Sequence, residues 1–250
     1  QPVVAQELNP GDRVKLEKYE KHISRHRSDN NTRKELDYCN KVAFIYWQNN
    51  LYGKAQEYFE RCLELNKELD NKNGIKLTSY YLGMIYSRKE QYDQALDFFQ
   101  KGLKISRNLN LRNSILSGLI NLSQTHQIIG NYEQSNRYAQ EALSLAKERD
   151  NLKSVRTCYG LLSENYKRLG NSEKSIKYFD LFSTIDKHLK NQKISQIQEE
   201  TKNRVSKAKE EKQEEEKELK EEIDKRKMTE DSLQKVARIS RERQLQLEVQ

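Results

Sequence analysis

Apolar residues recur three and four positions apart over most of the chain from Asp37 to Asn191. In residues 36–46, for example, the apolar side chains are Leu36, Cys39, Val42, Ala43 and Tyr46. Residues at this spacing lie on one face of an α-helix, so the pattern is typical of a helix with one buried face. This part of the chain is therefore predicted to consist of amphipathic helices.

The apolar pattern is itself repeated, four times, with a period of 40 residues. The matching positions are Tyr46, Tyr86, His126 and Tyr166; Val42, Leu82, Leu122 and Leu162; Ala55, Ala95, Ser135 and Ser175; and Phe59, Phe99, Ala139 and Phe179. A fixed period of 20 to 50 residues indicates stacked units that cover one another's apolar faces. We assign four repeats, 33–72, 73–112, 113–152 and 153–191, and predict that the matching residues form the core.

Each repeat divides into two helices. Helix-ending residues that tolerate a left-handed backbone separate them, as at Gly130 and Gly170. The predicted breaks fall at Asn49 and Asn50, Glu90 and Gln91, Gly130 and Asn131, and Gly170 and Asn171, with the second helices starting at Tyr52, Tyr92, Tyr132 and Ser172. Those helices are expected to reach Leu69, Leu109 and Arg149.

The segment before the repeats is predicted to be an irregular lead, residues 1–12, followed by a capping helix. Pro10, Gly11 and Asp12 suggest a turn, and the Asp12 carboxylate can accept hydrogen bonds from the first turn of a helix over 13–30. This helix aligns with the second helices of the repeats. It is interpreted as a half-repeat that closes the array with a polar outer face.

Residues 192–250 lose the period and become highly charged. Pairs of Glu and Lys three or four apart stabilise a solvated helix, and no glycine or proline interrupts the run. An apolar seam remains at Ile194, Ile197, Val205, Ala208, Leu219, Ile223, Leu233, Ala237 and Leu247. Because such a seam is typical of a weak coiled coil, we predict a stalk that forms a parallel homodimer. A single charged helix is the alternative.

Composition agrees with an elongated all-α fold. Apolar and charged residues each make up 34% of the 250 residues, too few apolar residues for one large core and too many for disorder throughout. The net charge is +8, but the sequence contains no phosphate-binding loop, zinc-ligand spacing or helix-turn-helix motif. No nucleic-acid partner is therefore expected. No apolar run is long enough to span a membrane. Membrane contact would require segments outside this chain.

The repeat resembles the tetratricopeptide repeat, whose pattern is Trp, Leu-Gly, Tyr, Ala, Phe and Ala. The second repeat supplies Ser79, Leu82, Gly83, Tyr86, Ala95, Phe99 and Gly102, and the fourth supplies Tyr159, Leu162, Ser163, Tyr166, Ser175, Phe179 and Phe182. The closing proline of the family is replaced by Lys67, Arg107, Lys147 and Lys187, and each unit is six residues longer. The resemblance implies an all-α solenoid of helix hairpins.

The resemblance also implies a ligand groove on the concave face, formed by the first helices. The implied residues are Asp37, Asn40, Phe44, Trp47, Gln48, Leu77, Tyr80, Met84, Ser87, Arg88, Ser117, Ile120, Gln124, Gln127, Glu164, Lys167 and Arg168. Amide groups can bind the main chain of an extended peptide, and aromatic side chains provide anchors. The alternative interpretation is that Phe44, Trp47 and Met84 pack between repeats.

No residue pattern points to catalysis, a cofactor or a metal site. His22 and His26 lie one helical turn apart but lack a third ligand at matching spacing, so solvated histidines are expected. His126 is predicted to be a hydrogen-bonded core residue. Cys39 and Cys62 lie at similar distances from the turn at Asn50, which permits a disulfide, although free buried thiols are the preferred state. The chain is therefore predicted to be non-enzymatic.

A repeat array followed by a long charged helix is also similar to the sensor region of bacterial tetratricopeptide-repeat histidine kinases, particularly those of Bacteroidota. In those proteins a membrane segment and an output domain follow. No histidine occurs after His188, so a kinase domain would lie outside this chain. We predict a module that binds a peptide or protein in signal transduction; an intracellular adaptor and a peptide-pheromone receptor are the alternatives.

A periplasmic or membrane-associated location in a bacterium is expected, with the cytoplasm as the alternative. The chain begins with Gln1 rather than Met, which suggests a processed or excised piece. The small-residue stretch at 3–6, Val3-Val4-Ala5-Gln6, looks like the end of a secretory signal.

Overall fold

The computed structural model describes the backbone of residues 8–248 and the side chains of residues 8–241. The proposed signal remnant at residues 3–6 and the seam residue Leu247 thus lie outside the described backbone or side chains. The helices are α1 (Pro10–Ser28), α2 (Thr32–Gln48), α3 (Tyr52–Glu68), α4 (Lys72–Arg88), α5 (Tyr92–Asn108), α6 (Arg112–Ile128), α7 (Tyr132–Glu148), α8 (Leu152–Arg168) and α9 (Ser172–Glu248). Within the described residues there is no strand, so the all-α prediction is confirmed.

The chain divides into two units, Gln1–Lys187 and His188–Gln250. The first contains α1 to α8 and the start of α9, and neighbouring helices in the sequence pack against one another. The second consists, in its described part, of the remainder of α9. The second helix of the fourth repeat and the charged helix, predicted as two elements, are therefore one helix because nothing near Asn191 interrupts it.

Every turn between helices has three residues and the same hydrogen-bond pattern. In the turn after α2, Asn50 N–H donates to the Trp47 carbonyl at 3.0 Å and Leu51 N–H to the Tyr46 carbonyl at 2.9 Å. These two bonds satisfy the free carbonyls of the last helical turn and require a left-handed middle residue. The middle residues are Asn30, Asn50, Asp70, Glu90, Asn110, Gly130, Asp150 and Gly170. The predicted starts of α3, α5, α7 and α9 are confirmed.

The start of α1 differs from the prediction. The helix begins at Pro10, and the side chain of Asn9 accepts the Asp12 amide at 2.8 Å. Proline suits the first helical position because its φ is already fixed and its missing N–H would have no partner there. The turn at 10–12 and the capping role of Asp12 were therefore wrong. Asp12 instead accepts a hydrogen bond from Asn49 at 3.1 Å, which helps to lower the pKa of its carboxyl.

The core lies where small residues let paired helices approach. Ala55, Ala95 and Ser135 are fully buried, as predicted, and the rings of Phe59 and Phe99 pack beside them. In the third repeat, the Ser123 hydroxyl donates to the Ser135 carbonyl at 3.0 Å, and the Ser135 hydroxyl donates back to the Ser123 carbonyl at 2.7 Å. Each buried hydroxyl thus finds an acceptor on the opposite backbone.

Two predicted core residues differ from expectation. Phe179 is 57% exposed, because no helix follows α9 in the described part of the chain to cover it. His126 is buried and stacks on Tyr138 with ring centroids 5.5 Å apart, but its Nδ1 has no hydrogen-bond partner among the described residues. Burial lowers the pKa of the His126 imidazole, so the neutral ring is favoured.

Candidate functional site

A groove with a volume of about 490 Å³ crosses the repeats. Its lining side chains come from α2, α4, α5, α6 and α8. We call this the central groove, and it is lined by Trp47, Met84, Ser87, Arg88, Phe99, Asn121, Gln124, Thr125, Gln127, Ile128 and Leu161. The groove lies within the first unit.

The 40-residue period explains why these side chains meet. Met84 and Gln124 occupy the same repeat position, as do Arg88 and Ile128, and Asn121 and Leu161 share a third. Since stacked first helices present equivalent positions side by side, each position contributes once from each repeat to a common surface. The lining is therefore built from a few repeat positions, and its chemistry changes from one repeat to the next.

The apolar part of the groove rests on an aromatic cluster. The Trp47 ring packs against Tyr52 and Tyr81, with centroids 5.3 and 5.8 Å away. Phe99 is only 2% exposed and forms part of the wall next to half-buried Met84. These packed rings make a firm apolar surface, which is what an apolar anchor side chain of a ligand requires.

Amide groups and one cation form the polar part. Gln127 Nε2 donates to the side-chain oxygen of Asn165 at 2.7 Å. Asn165 is fully buried and donates in turn to Ser135 Oγ at 2.7 Å and to Asn136 Oδ1 at 2.9 Å. This network fixes the Gln127 side chain at the groove. Arg88 is exposed and is the one charged residue among the described lining side chains.

Six of the predicted groove residues line the central groove: Trp47, Met84, Ser87, Arg88, Gln124 and Gln127. The others are not part of its lining: Asp37, Asn40, Phe44, Gln48, Leu77, Tyr80, Ser117, Ile120, Glu164, Lys167 and Arg168.

Several of the predicted residues that lie outside the groove lining make other contacts. Phe44 packs edge-on against Phe59 and Tyr81, which agrees with the alternative that it lies between repeats. Glu164 and Arg168 form an ion pair at 2.8 Å, and Ile120 packs partly buried against the core.

Tyr80 is a clear correction, because it is buried and cannot contact a ligand at the surface. Its hydroxyl donates to the Ser114 carbonyl at 2.9 Å and pairs with Ser106 Oγ at 3.0 Å. A methyl group at Gly102 or Gly118 would come within 2.9 or 2.5 Å of Tyr80 atoms. The two glycines therefore create the space that draws this ring into the core.

The sequence reasoning missed Phe99, Asn121, Thr125, Ile128 and Leu161. Asn121 and Leu161 lie 40 residues apart in the chain, each one helical turn before a predicted groove residue, so the repeat register contained a usable signal. Phe99 was correctly placed in the core, but a wall residue can serve both roles.

The histidines and cysteines considered in the sequence analysis are packed inside the fold and form no metal site among the described residues. His22 and His26 were expected to be solvated, but both are half-buried because their rings stack on Tyr38. The described residues contain no group of three or more His, Cys, Asp or Glu side chains that could hold a metal ion. Cys39, Cys62 and Cys158 are free and buried, the preferred state. Burial raises the pKa of the Cys158 thiol to about 12, which makes it a poor nucleophile.

Within residues 8–248, no helix combines the length and apolar character needed to cross a membrane.

Comparisons with known proteins support the repeat fold. Tetratricopeptide-repeat family models match residues 38–108, 115–149 and 157–188, together more than half of the chain. The sequence matches none of the curated proteins.

Three solved structures share the fold at low sequence identity. The nearly identical TPR-like repeats of a putative kinesin light chain from Podosopora anserina are 13% identical, with a TM-score of 0.53 over 70% of this chain and 94% of that chain. MamA is 14% identical, with a TM-score of 0.57 over 75% and 99%. A Rap protein complexed with Competence and Sporulation Factor is 14% identical, with a TM-score of 0.51 over 69% and 54%.

The family matches and the stacked helix hairpins agree on the architecture. Tetratricopeptide repeats usually act as interaction modules rather than enzymes. This chain belongs to the tetratricopeptide-repeat family and is a protein-interaction module.

Proposed function

We propose that the central groove binds an extended peptide or a peptide segment of a partner protein. The observation that carries this proposal is the meeting of an apolar wall, oriented amides and a single cation in one cavity. Trp47, Met84 and Phe99 offer contacts for an apolar side chain. Gln124 and Gln127 offer donors and acceptors for the ligand main chain, and Arg88 offers a partner for a carboxylate.

The proposal can be tested with peptides selected from a displayed random 12-residue library on the immobilised full chain. Trp47 is the only tryptophan in the sequence, so its fluorescence reports binding at the groove without a label. We expect selected peptides to change the Trp47 emission saturably. Because Met84 and Arg88 line the groove, Met84→Glu and Arg88→Glu are each expected to weaken binding at least about tenfold.

Arg168→Glu provides a matched control, because Arg168 is exposed but lies outside the groove lining. It is expected to bind the same peptides as the wild type. Circular dichroism would verify that all variants keep their helical content. Equal affinity of selected peptides for the wild type and for both groove variants would refute the proposed site.

We further propose that the chain is the sensory or scaffolding region of a bacterial signalling protein, in the periplasm or at a membrane. Groove occupancy would shift the populations of two states that differ in homodimer pairing of residues 192–250. The exposed apolar side chains of Ile194, Ile197 and Val205 support pairing. The MamA and Rap neighbours support only the repeat fold as an interaction scaffold.

Crosslinking and limited proteolysis of residues 192–250 would test this coupling. A selected peptide at saturation should change the crosslinking yield or the cleavage rate by at least about twofold. Unchanged values at saturation would contradict a sensor and favour an adaptor that only holds its partner.

A further inference from the structure

The outer side of the fourth repeat exposes Phe179, although the residues at the same repeat position, Phe59, Phe99 and Ala139, are all buried. Phe179 is 57% exposed, whereas Phe59 and Phe99 are 1% and 2% exposed. Ile176, one turn earlier on α9, is 62% exposed. We call Ile176, Phe179 and Asp180 the end face; all three lie in the first unit. An exposed cluster of large apolar side chains next to a charge is typical of an interaction site.

The earlier repeats show what covers this position. The Tyr81 ring of α4 stacks on Phe59 of α3 with centroids 4.9 Å apart and planes 2° apart. Five residues later on α4, the Tyr86 hydroxyl donates to Glu60 Oε1 at 3.0 Å. The covering element is thus the first helix of the next repeat. It runs antiparallel to the helix beneath because a three-residue turn joins them.

A second internal interface has the same geometry at the polar contact. Tyr166 of α8 occupies the repeat position of Tyr86, and Gln140 of α7 occupies that of Glu60. Gln140 Nε2 donates to the Tyr166 hydroxyl at 3.3 Å. A tyrosine hydroxyl facing this position therefore recurs in two interfaces of the array.

The end face repeats the chemistry of α3 most closely. Phe179 and Asp180 stand where α3 has Phe59 and Glu60, so an aromatic ring is again followed directly by a carboxylate. Ile176 replaces Gln56 and enlarges the apolar part. The surface therefore fits a helix with an aromatic residue and, five positions later, a tyrosine.

A second copy of this chain is a poor source of that helix. Its first helices α2, α4, α6 and α8 already pack between their own neighbours. Its terminal helix α1 aligns with the second helices and uses Tyr19 against Tyr38, with ring centroids 5.7 Å apart. The outer surface of α1 around Val14 carries Lys18, Lys21 and Arg25 rather than an aromatic pair.

We propose that the end face binds an amphipathic helix from another protein, antiparallel to α9. An aromatic side chain of that helix stacks on Phe179, and a tyrosine five residues later donates its hydroxyl to the Asp180 carboxylate. An apolar residue beside them covers Ile176. This surface and its partner are independent of the central groove.

A helix-stapled peptide with the α4 sequence, Lys72–Arg88, is a direct probe of the proposal. It contains Tyr81 and Tyr86, and a staple between positions 73 and 77 replaces two side chains that are exposed in α4. The staple is needed because an isolated helix of this length is marginal in water. We expect fluorescence anisotropy to show saturable binding of the labelled peptide to the full chain.

Changes on both sides of the contact should weaken this binding. Phe179→Glu in the protein is expected to reduce the affinity at least about tenfold. Tyr86→Phe in the peptide should also reduce it about tenfold or more, because a hydrogen bond to a charged group is lost. Phe179 is exposed, so its substitution should preserve the fold. Thermal unfolding followed by circular dichroism would verify this.

Two control variants separate this site from other surfaces. Ile197→Glu changes an exposed apolar residue elsewhere on α9, and Arg88→Glu changes the central groove. Both should bind the stapled peptide as the wild type does, whatever the outcome for the groove ligand. Absence of saturable binding, or equal binding by Phe179→Glu, would overturn the proposal. A dimer in sedimentation that Phe179→Glu dissociates would overturn it too, because a second copy would then occupy the end face.

Discussion

At the scale of single residues, Glu35 shows how a buried charge is accommodated. Its side chain is 4% exposed, and its Oε1 accepts hydrogen bonds from Arg27 Nε at 2.9 Å and Arg61 Nε at 3.0 Å. Burial by itself would raise the pKa of the carboxyl. The bonds from Arg61 and Arg27 outweigh burial and hold that pKa below its ordinary value.

This arrangement predicts a pH-dependent contribution to stability. Since the pKa of Glu35 is lower in the folded than in the unfolded chain, its stabilisation is complete above the unfolded value, near 4.5, and is lost as the pH falls through the folded value. Glu35→Gln should lower the free energy of unfolding at pH 7 by about 1–3 kcal/mol. Urea unfolding from pH 7 to pH 3 should show this difference shrinking.

Glu64→Gln is the matched control for Glu35→Gln. Glu64 also pairs with Arg61, at 3.0 Å, but its side chain is 61% exposed. An ion pair this exposed contributes little, so this variant should unfold almost as the wild type does. If Glu35→Gln matched the wild type at every pH, the buried ion pair would have no stabilising role.

Some core residues could be predicted from the sequence, whereas the burial of Tyr80 and the boundaries of the groove could not. Ala55, Ala95 and Ser135 were recognisable as core because their period shows where helices cross. Tyr80 was misplaced because its burial depends on Gly102 and Gly118, which lie far from it in the sequence. The open cavity beside Phe99 likewise depends on four stacked repeats, and no local pattern records its boundaries.

At the scale of helices, close packing between α4 and α5 depends on Gly83. A methyl group at this position would lie 2.6 Å from two carbon atoms of the Phe99 ring. Gly83→Ala should therefore lower the free energy of unfolding by about 1–3 kcal/mol, because the ring must move in a packed core. Urea unfolding monitored by circular dichroism would measure the change.

Gly53→Ala provides the opposite case on α3. A methyl group there would meet no atom within 4 Å, and alanine is favoured over glycine in helices by up to about 1 kcal/mol. This variant should be as stable as the wild type or more stable. A Gly83→Ala protein as stable as Gly53→Ala would contradict the proposed contact with Phe99.

Helix boundaries were predictable where turn chemistry is explicit. Gly130 and Gly170 have φ of +81° and +72°, as expected for residues that end a helix in the left-handed region. The start of α1 was missed because Asn and Asp are both good N-cap residues, and the prediction chose Asp12 instead of Asn9. Pro10 was accordingly assigned to a turn, although it is the first residue of the helix. The continuity of α9 was readable only as the absence of a breaking residue.

At the scale of the whole molecule, the apolar seam of residues 192–250 provides the surface for the proposed dimer. Ile194, Ile197 and Val205 are each about half exposed. Pairs such as Lys207 and Glu211, 3.6 Å apart, support the helix but bury no apolar surface. Pairing with a second copy would remove the seam from water, which is the driving force for a coiled coil.

We expect the full chain to sediment as a concentration-dependent dimer. Replacing both Ile197 and Val205 by Glu should weaken dimerisation at least about tenfold, because charges would enter the seam. Met228→Glu is the control, since Met228 is 72% exposed and lies outside the predicted seam. A wild-type chain that stays monomeric at about 100 µM would contradict this prediction, because the dissociation constant of any such dimer would then lie well above that concentration.

The uniform dimensions of helices α2 to α8, each 17 residues long, have an evolutionary consequence. A gene duplication that copies one whole repeat would add a complete helix hairpin and would keep the three-residue turns on both sides of it. A duplication of almost any other length would rotate the downstream apolar stripes towards solvent. Tandem copying and loss of entire repeats is therefore the route by which such a gene can most readily change the number of its binding surfaces.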